Sequence, residues 1–482
     1  MTGLLDGGGL LKERVMRVVK NWQRAALGLA IWSGSVALAA EPASTVGAGQ
    51  SSQQDLQKQI DALQAQVNEL RAKQTPNYTQ KDIDAAVASV LQDADKRSTL
   101  LGDASGFYGG YTDGKFTIRS ADGNYSLSPG VWFQYRYATT WRDNAKSQGG
   151  SDTQSGFEAR RLKFTLEGNV ITPKLTYGFV WATNRSDTSS NVGGGGTGTF
   201  STGGGNLVLE EGWLRYQFAD DWGIQAGTYK ELIYAETATS SKRKLAVENS
   251  LVGEYLFGGD IYTQGVILHY GTEASNGPIL AQIAFSDGYG SRNTDFRDPS
   301  TNAFDFGVHG RVNYKVTGDW KQYGDASALG NKKDLLVIGG GFDWSQNGDS
   351  DVVRWSVDTQ YENGSLAVLA AVTGRYTRTA GGGDDLNDFG FLVQAGYLVS
   401  SQWEVFGRWS MLELDDKGTT GDTEFCELTA GVNYYFKGHA AKIQLDIGWL
   451  PNGSPSNLTS ANILSNSGED EVYIRAQFQL LL

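Results

Sequence analysis

The chain has 482 residues, 40% hydrophobic and 20% charged, with 63 Gly, 8 Pro, 1 Cys and a net charge of −13. A mean hydropathy of −0.35, with no 18-residue apolar run after residue 40, excludes a helical membrane protein. The acidity argues against a nucleic-acid partner, and the single Cys426 excludes a disulfide framework.

Residues 1–39 read as a secretion signal. Lys12, Arg14, Arg17, Lys20 and Arg24 precede the apolar stretch Ala25–Ala37, and Ala37-Leu38-Ala39 offers a small-residue cleavage site. Its removal takes away five basic and two acidic residues, moving the net charge from −13 to −16. Residues 40–54 are small and polar, a linker. Residues 55–75 form a short coiled coil in which Leu56, Ile60, Leu63, Val67 and Leu70 keep heptad spacing. So short a helix needs partners nearby, which a trimer would supply. Pro76 ends it, and residues 76–114 read as a periplasmic linker with a faint helical pattern (Ile83, Val87, Val90, Leu91).

Residues 115–482 read as the barrel, and from Trp132 to the last residue one unit recurs: about ten residues alternating apolar and polar, then a break rich in Gly, Asp, Asn or Ser. Val131, Phe133, Tyr135 and Tyr137 alternate with Gln134 and Arg136; Ile443, Leu445, Ile447 and Trp449 alternate with Lys442, Gln444 and Asp446. Side chains on a strand alternate between faces, so each run has an oily face and a polar one. The runs fall at 131–141, 157–167, 174–183, 207–217, 222–230, 261–270, 279–286, 304–314, 335–344, 352–361, 366–374, 389–398, 402–411, 424–436, 441–449 and 471–482. The pattern predicts an all-β fold: a 16-stranded antiparallel transmembrane β-barrel behind a periplasmic coiled-coil helix, with lipid outside and water inside. The 13 Trp and 22 Tyr suit aromatic girdles, and Cys426 falls on the lipid face with Leu428 and Val432. Lys115–Arg119 is either an extra strand or part of a periplasmic hairpin. Connections alternate between short periplasmic turns and long external loops. Two fit badly: 315–334 is long for a turn, and 345–351 is short for an external loop.

Phasing each strand by its apolar face turns Arg136, Arg161, Lys163, Arg215, Arg311, Arg354, Arg408, Lys442 and Arg475 toward the lumen. Glu167, Glu211, Asp305, Asp358, Glu404, Glu427 and Asp446 share that face. Cationic rings favour anions, although cross-strand pairing could equally hydrate the lumen without selecting. The 231–260 connection carries Lys242-Arg243-Lys244, with Lys230 at its base. Folded inward it would form a cationic constriction; otherwise it is a solvated external loop. No enzyme signature, catalytic residue, metal set or cofactor motif is present. His269, His309 and His439 stand without HExxH or GxSxG, and Gly193–Gly196 and Gly203–Gly205 lack the Lys-Ser/Thr of a phosphate loop.

The stretch Arg160-Arg161-Leu162-Lys163-Phe164-Thr165-Leu166-Glu167-Gly168 resembles the early strand of the phosphate-selective porin O and P family. So does Leu209–Tyr216 followed by Gly227-Thr228-Tyr229-Lys230. Glu236, Ser240-Ser241 and Glu248-Asn249-Ser250-Leu251 match that family's loop pattern, with Asn249 where Arg is common and Leu482 where a terminal aromatic is usual. The resemblance covers about residues 157–482. It implies a sixteen-stranded, homotrimeric porin in the cell outer membrane, bathed in membrane lipid, its N-terminal segment in the periplasm. It leaves the preferred ion open; taken with the lumen cations and the Lys242–Lys244 loop, the chain reads as a channel for passive diffusion of small hydrophilic solutes with a modest preference for small anions such as phosphate. The alternatives are a non-selective or cation-preferring porin, or a structural barrel tethering the outer membrane through its coiled coil.

Overall fold

The computed structural model describes residue 65 and residues 106–112, 115–143, 151–183, 207–294, 304–330, 333–378, 384–416, 421–464 and 466–482. The expected signal, linker and coil (1–75, Ala65 apart) and residues 76–105 lie outside the described residues. The hairpin expected around Lys115–Arg119 begins earlier: β1 (Phe107–Thr112) pairs antiparallel with β2 (Lys115–Ser120). Its backbone register with the barrel is Ile118↔Leu127 and Arg119↔Ser126.

Fifteen barrel strands follow in order: β3 (Ser126–Arg142), β4 (Thr153–Val170), β5 (Thr172–Thr183), β6 (Val208–Gln217), β7 (Trp222–Lys230), β8 (Tyr262–Tyr270), β9 (Ile279–Ser286), β10 (Phe306–Thr317), β11 (Leu335–Asn347), β12 (Ser350–Asn363), β13 (Leu366–Arg378), β14 (Leu386–Leu398), β15 (Trp403–Glu413), β16 (Glu424–Lys437) and β17 (Ala441–Leu450). A two-residue ladder, β18 (Gly453–Ser454) with β19 (Asn466–Ser467), sits in the last loop before β20 (Glu471–Leu481). Each barrel strand pairs antiparallel with the next, and β20 returns to β3 from Glu471↔Arg142 to Leu481↔Trp132. The barrel is closed with sixteen strands, as the alternation requires. Closure leaves no strand edge to face hydrocarbon, where an unpaired backbone group costs several kcal/mol. Leu482 shares in it: its N–H and carbonyl bond Val131 at 2.9 Å each, although it is not aromatic.

The apolar residues of each alternation face outward and are exposed, among them Val312, Ile338, Val357, Val372, Val393, Leu428 and Ile447. Aromatic pairs mark both rims: Trp403 with Tyr434 at 4.7 Å near the short turns, Phe306 with Trp344 at 5.4 Å near the long loops. The two irregular connections resolve physically. Gly348-Asp349 closes β11–β12 as a two-residue hairpin, with Gly348 at φ 55° in the first central position, where a side chain would strain. The long connection after β10 folds back under the lumen instead of looping into solvent. Trp320 bonds the Gly277 carbonyl at 2.6 Å on one side, and Asp325 meets His439 at 2.9 Å on the other, so the segment reaches from the β8–β9 turn to the β16–β17 turn.

Outward residues meet lipid, so Val357→Arg should lower folding stability by about 2–4 kcal/mol if the site lies near the bilayer midplane. Urea unfolding in phospholipid vesicles measures this; a change within error would show that this face is not lipid-exposed.

Candidate functional site

The connection from 231 to 260 lies inside the barrel. It carries two short helices, α1 (Ala235–Ala238) and α2 (Leu251–Tyr255). At its start Glu231 pairs with Arg354 of β12 at 2.8 Å. The Ile233 carbonyl then accepts from Arg311 of β10 (2.8 Å) and Ser356 of β12 (2.7 Å). Only glycine suits position 341, since a Cβ there would lie 2.1 Å from that carbonyl. Further along, the loop is tied to the opposite wall. Gln479 bonds the Lys242 carbonyl (3.1 Å) and Lys442 the Lys244 carbonyl (3.1 Å). Asp446 accepts the Val247 N–H (2.9 Å), and Glu427 the Leu251 N–H (2.8 Å). These partners lie on opposite sides of the strand order, so the loop crosses the lumen.

A loop has no ladder of its own, so its buried N–H and carbonyl groups must find side-chain partners; the polar inner faces supply them. Ser250 caps α2 by accepting the Gly253 N–H at 3.1 Å, and Glu236 accepts both the N–H and the hydroxyl of Ser250 at 2.7 Å each. Packing adds to this. Leu251, Val252, Leu256 and Phe257 join Leu392, Leu412, Phe425 and Tyr473 of the wall in one buried cluster. Burial of each such side chain is worth about 1.5–3 kcal/mol relative to exposure.

Glu248 is the centre of the charge network. Arg136 Nη1 and Arg160 Nε each lie 2.6 Å from its Oε1, and Arg161 Nη2 lies 2.9 Å from its Oε2. Two adjacent arginines reach one carboxylate because the β3–β4 register slips between Gln134↔Arg161 and Tyr135↔Ala159, leaving Arg160 as a bulge. Burial alone would raise the Glu248 carboxyl, but Arg160, Arg161 and Arg136 hold it well below the usual range. Asp260 is held low in the same way, against burial, by Lys230 at 2.8 Å together with Lys244 and Arg161. Burial pushes the Lys244 ammonium down to about 8, and Asp260 opposes this only in part.

The expected pore cations fall into two groups. Arg136, Arg161, Lys163, Arg311, Arg354, Arg408, Lys442 and Arg475 are all buried and committed to partners. Lys163 pairs with Glu210, Arg311 with Asp358, Arg408 with Glu427 and Arg475 with Asp446. Arg215 differs, being half-buried with no ion pair among the described residues. In the loop, Lys230 and Lys244 are engaged by Asp260. Lys242 lies half-buried 5.0 Å over the Trp132 ring, and Arg243 is exposed. Of the acids, Glu404 accepts the Ala328 N–H of the folded-back turn (2.7 Å), and exposed Glu167 meets Lys115 (2.5 Å). Asp305 binds the Gly348 N–H (2.8 Å) at the long-loop rim, apart from this network.

Sequence reading missed Arg160 and Glu210, because a strict period of two passes over a bulge. It also missed Glu231 and Asp260, whose roles depend on the loop's course. Ser327 (3.3 Å) and Asp325 (2.9 Å) both contact Nε2 of His439, while its Nδ1 has no partner among the described residues, so no proton relay is formed.

Glu248→Gln would leave three guanidiniums short of one negative charge and should cost about 3–5 kcal/mol. A carboxyl held below its unfolded value of 4.5 stabilises the fold fully above that pH and loses its contribution as pH falls toward the folded value. The stability gap between the native protein and Glu248→Gln should therefore stay constant from pH 7 to 5 and shrink below 4.5. A gap that persists undiminished well into acid would mean another interaction produces it.

The barrel agrees with independent comparisons. Solved structures that superpose include the anion-selective porin from Comamonas acidovorans, with a TM-score of 0.52 and 12% identity, covering 74% of this chain and 100% of that one. OmpF of Salmonella typhi follows at a TM-score of 0.48 and 13% identity, covering 74% and 98%. OprB of Pseudomonas putida matches at 0.47 and 9%, covering 75% and 95%. At 12% identity the first of these speaks to the fold alone. Among curated proteins, none matches by sequence. The profile of the phosphate-selective porin O and P family matches residues 133–480, most of the chain and nearly the whole barrel. The chain belongs to the phosphate-selective porin O and P family, and is an outer-membrane porin.

Proposed function

We propose that this porin passes small hydrophilic solutes by passive diffusion with a modest preference for anions, phosphate among them, and that it works as a homotrimer. The observation that carries the anion preference is an imbalance within the loop at 231–260. Its acids Glu231, Glu236, Glu248, Glu254 and Asp260 are all bonded to the wall, to another loop or to the loop itself. Arg243 is exposed and Lys242 half-buried, neither with a carboxylate at ion-pair distance among the described residues. Burial and the neighbouring cations Lys115, Lys163 and Arg243 press the Lys242 ammonium below its ordinary value, although Glu167 opposes them. A permeating anion would relieve that repulsion, and in a narrow, weakly screened passage the attraction exceeds that in bulk water. The Comamonas acidovorans porin, similar in fold, is anion-selective, which is consistent with this.

Single-channel recording across a salt gradient tests the reading. The native reversal potential should lie on the anion side, and Lys242→Ala with Arg243→Ala should move it toward zero with the channel still open. Lys244→Met should alter stability more than selectivity, since its ammonium is buried against Asn249 and Asp260. A native reversal potential at zero or on the cation side would reduce the reading to a general porin.

A further inference from the structure

Between the loop and the short-turn rim lies a cavity of about 430 Å³. Its wall comes from Arg215 of β6, His269 of β8, Gln282 of β9, and Arg311 and Asn313 of β10; its ceiling comes from Leu232, Ala235 and Ala238 of the loop. The register places His269 opposite Gln282, and Gln282 opposite Arg311, so these three stand in one row on neighbouring strands. Exposed Glu273 and the adjoining turn form the mouth.

The polar groups of this row are not equally available. Arg311 is spent: its guanidinium donates to Asp358, Asn313, Tyr323 and the Ile233 carbonyl. Arg215 has no carboxylate at ion-pair distance among the described residues, and the buried Nε2 of His269 has no hydrogen-bond partner there. On the loop side Leu232, Ala235 and Ala238, beside Thr239, offer carbon to the cavity. An inorganic anion placed here would trade water for hydrocarbon on that side and leave its oxygens unsatisfied. An anion that carries its own apolar surface would not.

We propose that this cavity is a binding site for small organic carboxylates with a compact apolar body, the carboxylate on Arg215 and His269 and the body under Leu232 and Ala238. The volume lies within the range of ligand sites, and the polar side chains of the wall, with Thr239, Thr272 and Gln360 beside them, face the carbon of Leu232 and Ala238. A charge-assisted contact of this kind is worth enough that losing it should weaken binding by about tenfold or more. This proposal rests on the porin reading for its transport meaning, but binding itself does not depend on conduction.

The test uses the purified full-length barrel with benzoate and, separately, inorganic phosphate as probes. Binding is measured by equilibrium dialysis, and block is measured in single-channel current. Saturable benzoate binding that outcompetes phosphate, lowered about tenfold in Arg215→Gln, is the expected result. Leu232→Asn should weaken benzoate more than phosphate, which loss of fold would not do. Equal binding of both probes, or benzoate binding indifferent to Arg215→Gln, overturns the site. Binding without any conductance would keep the site and defeat the porin reading; conductance without binding would do the reverse.

Discussion

Glu248, held among Arg136, Arg160 and Arg161, is the contact on which the interior depends. Each arginine belongs to the wall and the glutamate to the loop, so this cluster joins the two. Buried guanidiniums without a counter-charge would carry a desolvation cost of several kcal/mol apiece. Arg136 also has Glu158 of β4, but Arg160 and Arg161 find their counter-charges in the loop, at Glu248 and Asp260, as that segment crosses the lumen.

That crossing makes the interior asymmetric. Beneath β14 to β16 and β20, α2 packs on Leu392, Leu412, Phe425 and Tyr473, while the folded-back turn after β10 meets the loop from below through Ala326 and the Arg243 carbonyl at 3.2 Å. Both obstructions lean on carboxylates of the same wall: Glu404 receives the turn, and Glu427 and Asp446 receive the loop. Under β6 to β10 the lumen keeps open volume, with Arg215 uncommitted. Most wall cations thus serve architecture, and the electrostatic character of the passage falls to the few left over. Counting charges on inner faces overstates how many can meet a solute, because an arginine already bidentate to a carboxylate has little left to offer.

The strands were legible because alternation over ten residues leaves little freedom. All sixteen runs became strands, with ends differing by a few residues, and the closed antiparallel order followed from an even count and short turns. The alternation also sorted residues by face, with Val312, Ile338 and Val357 among the outward ones. It failed locally at Arg160 and Glu210, where a bulge puts neighbouring residues on one face, and no single-sequence pattern announces a bulge.

What the sequence determined by itself was the barrel, since it rests on local periodicity and composition; the segment at 231–260 it offered only as either a constriction or a solvated loop. What only the tertiary structure decided was which charges are spent. Lys242, Arg243 and Lys244 are adjacent in the chain, yet one lies over Trp132, one faces solvent and one is buried beside Asp260. Their fates depend on partners more than a dozen residues away, and pairing between remote segments is set by how the loop crosses the lumen.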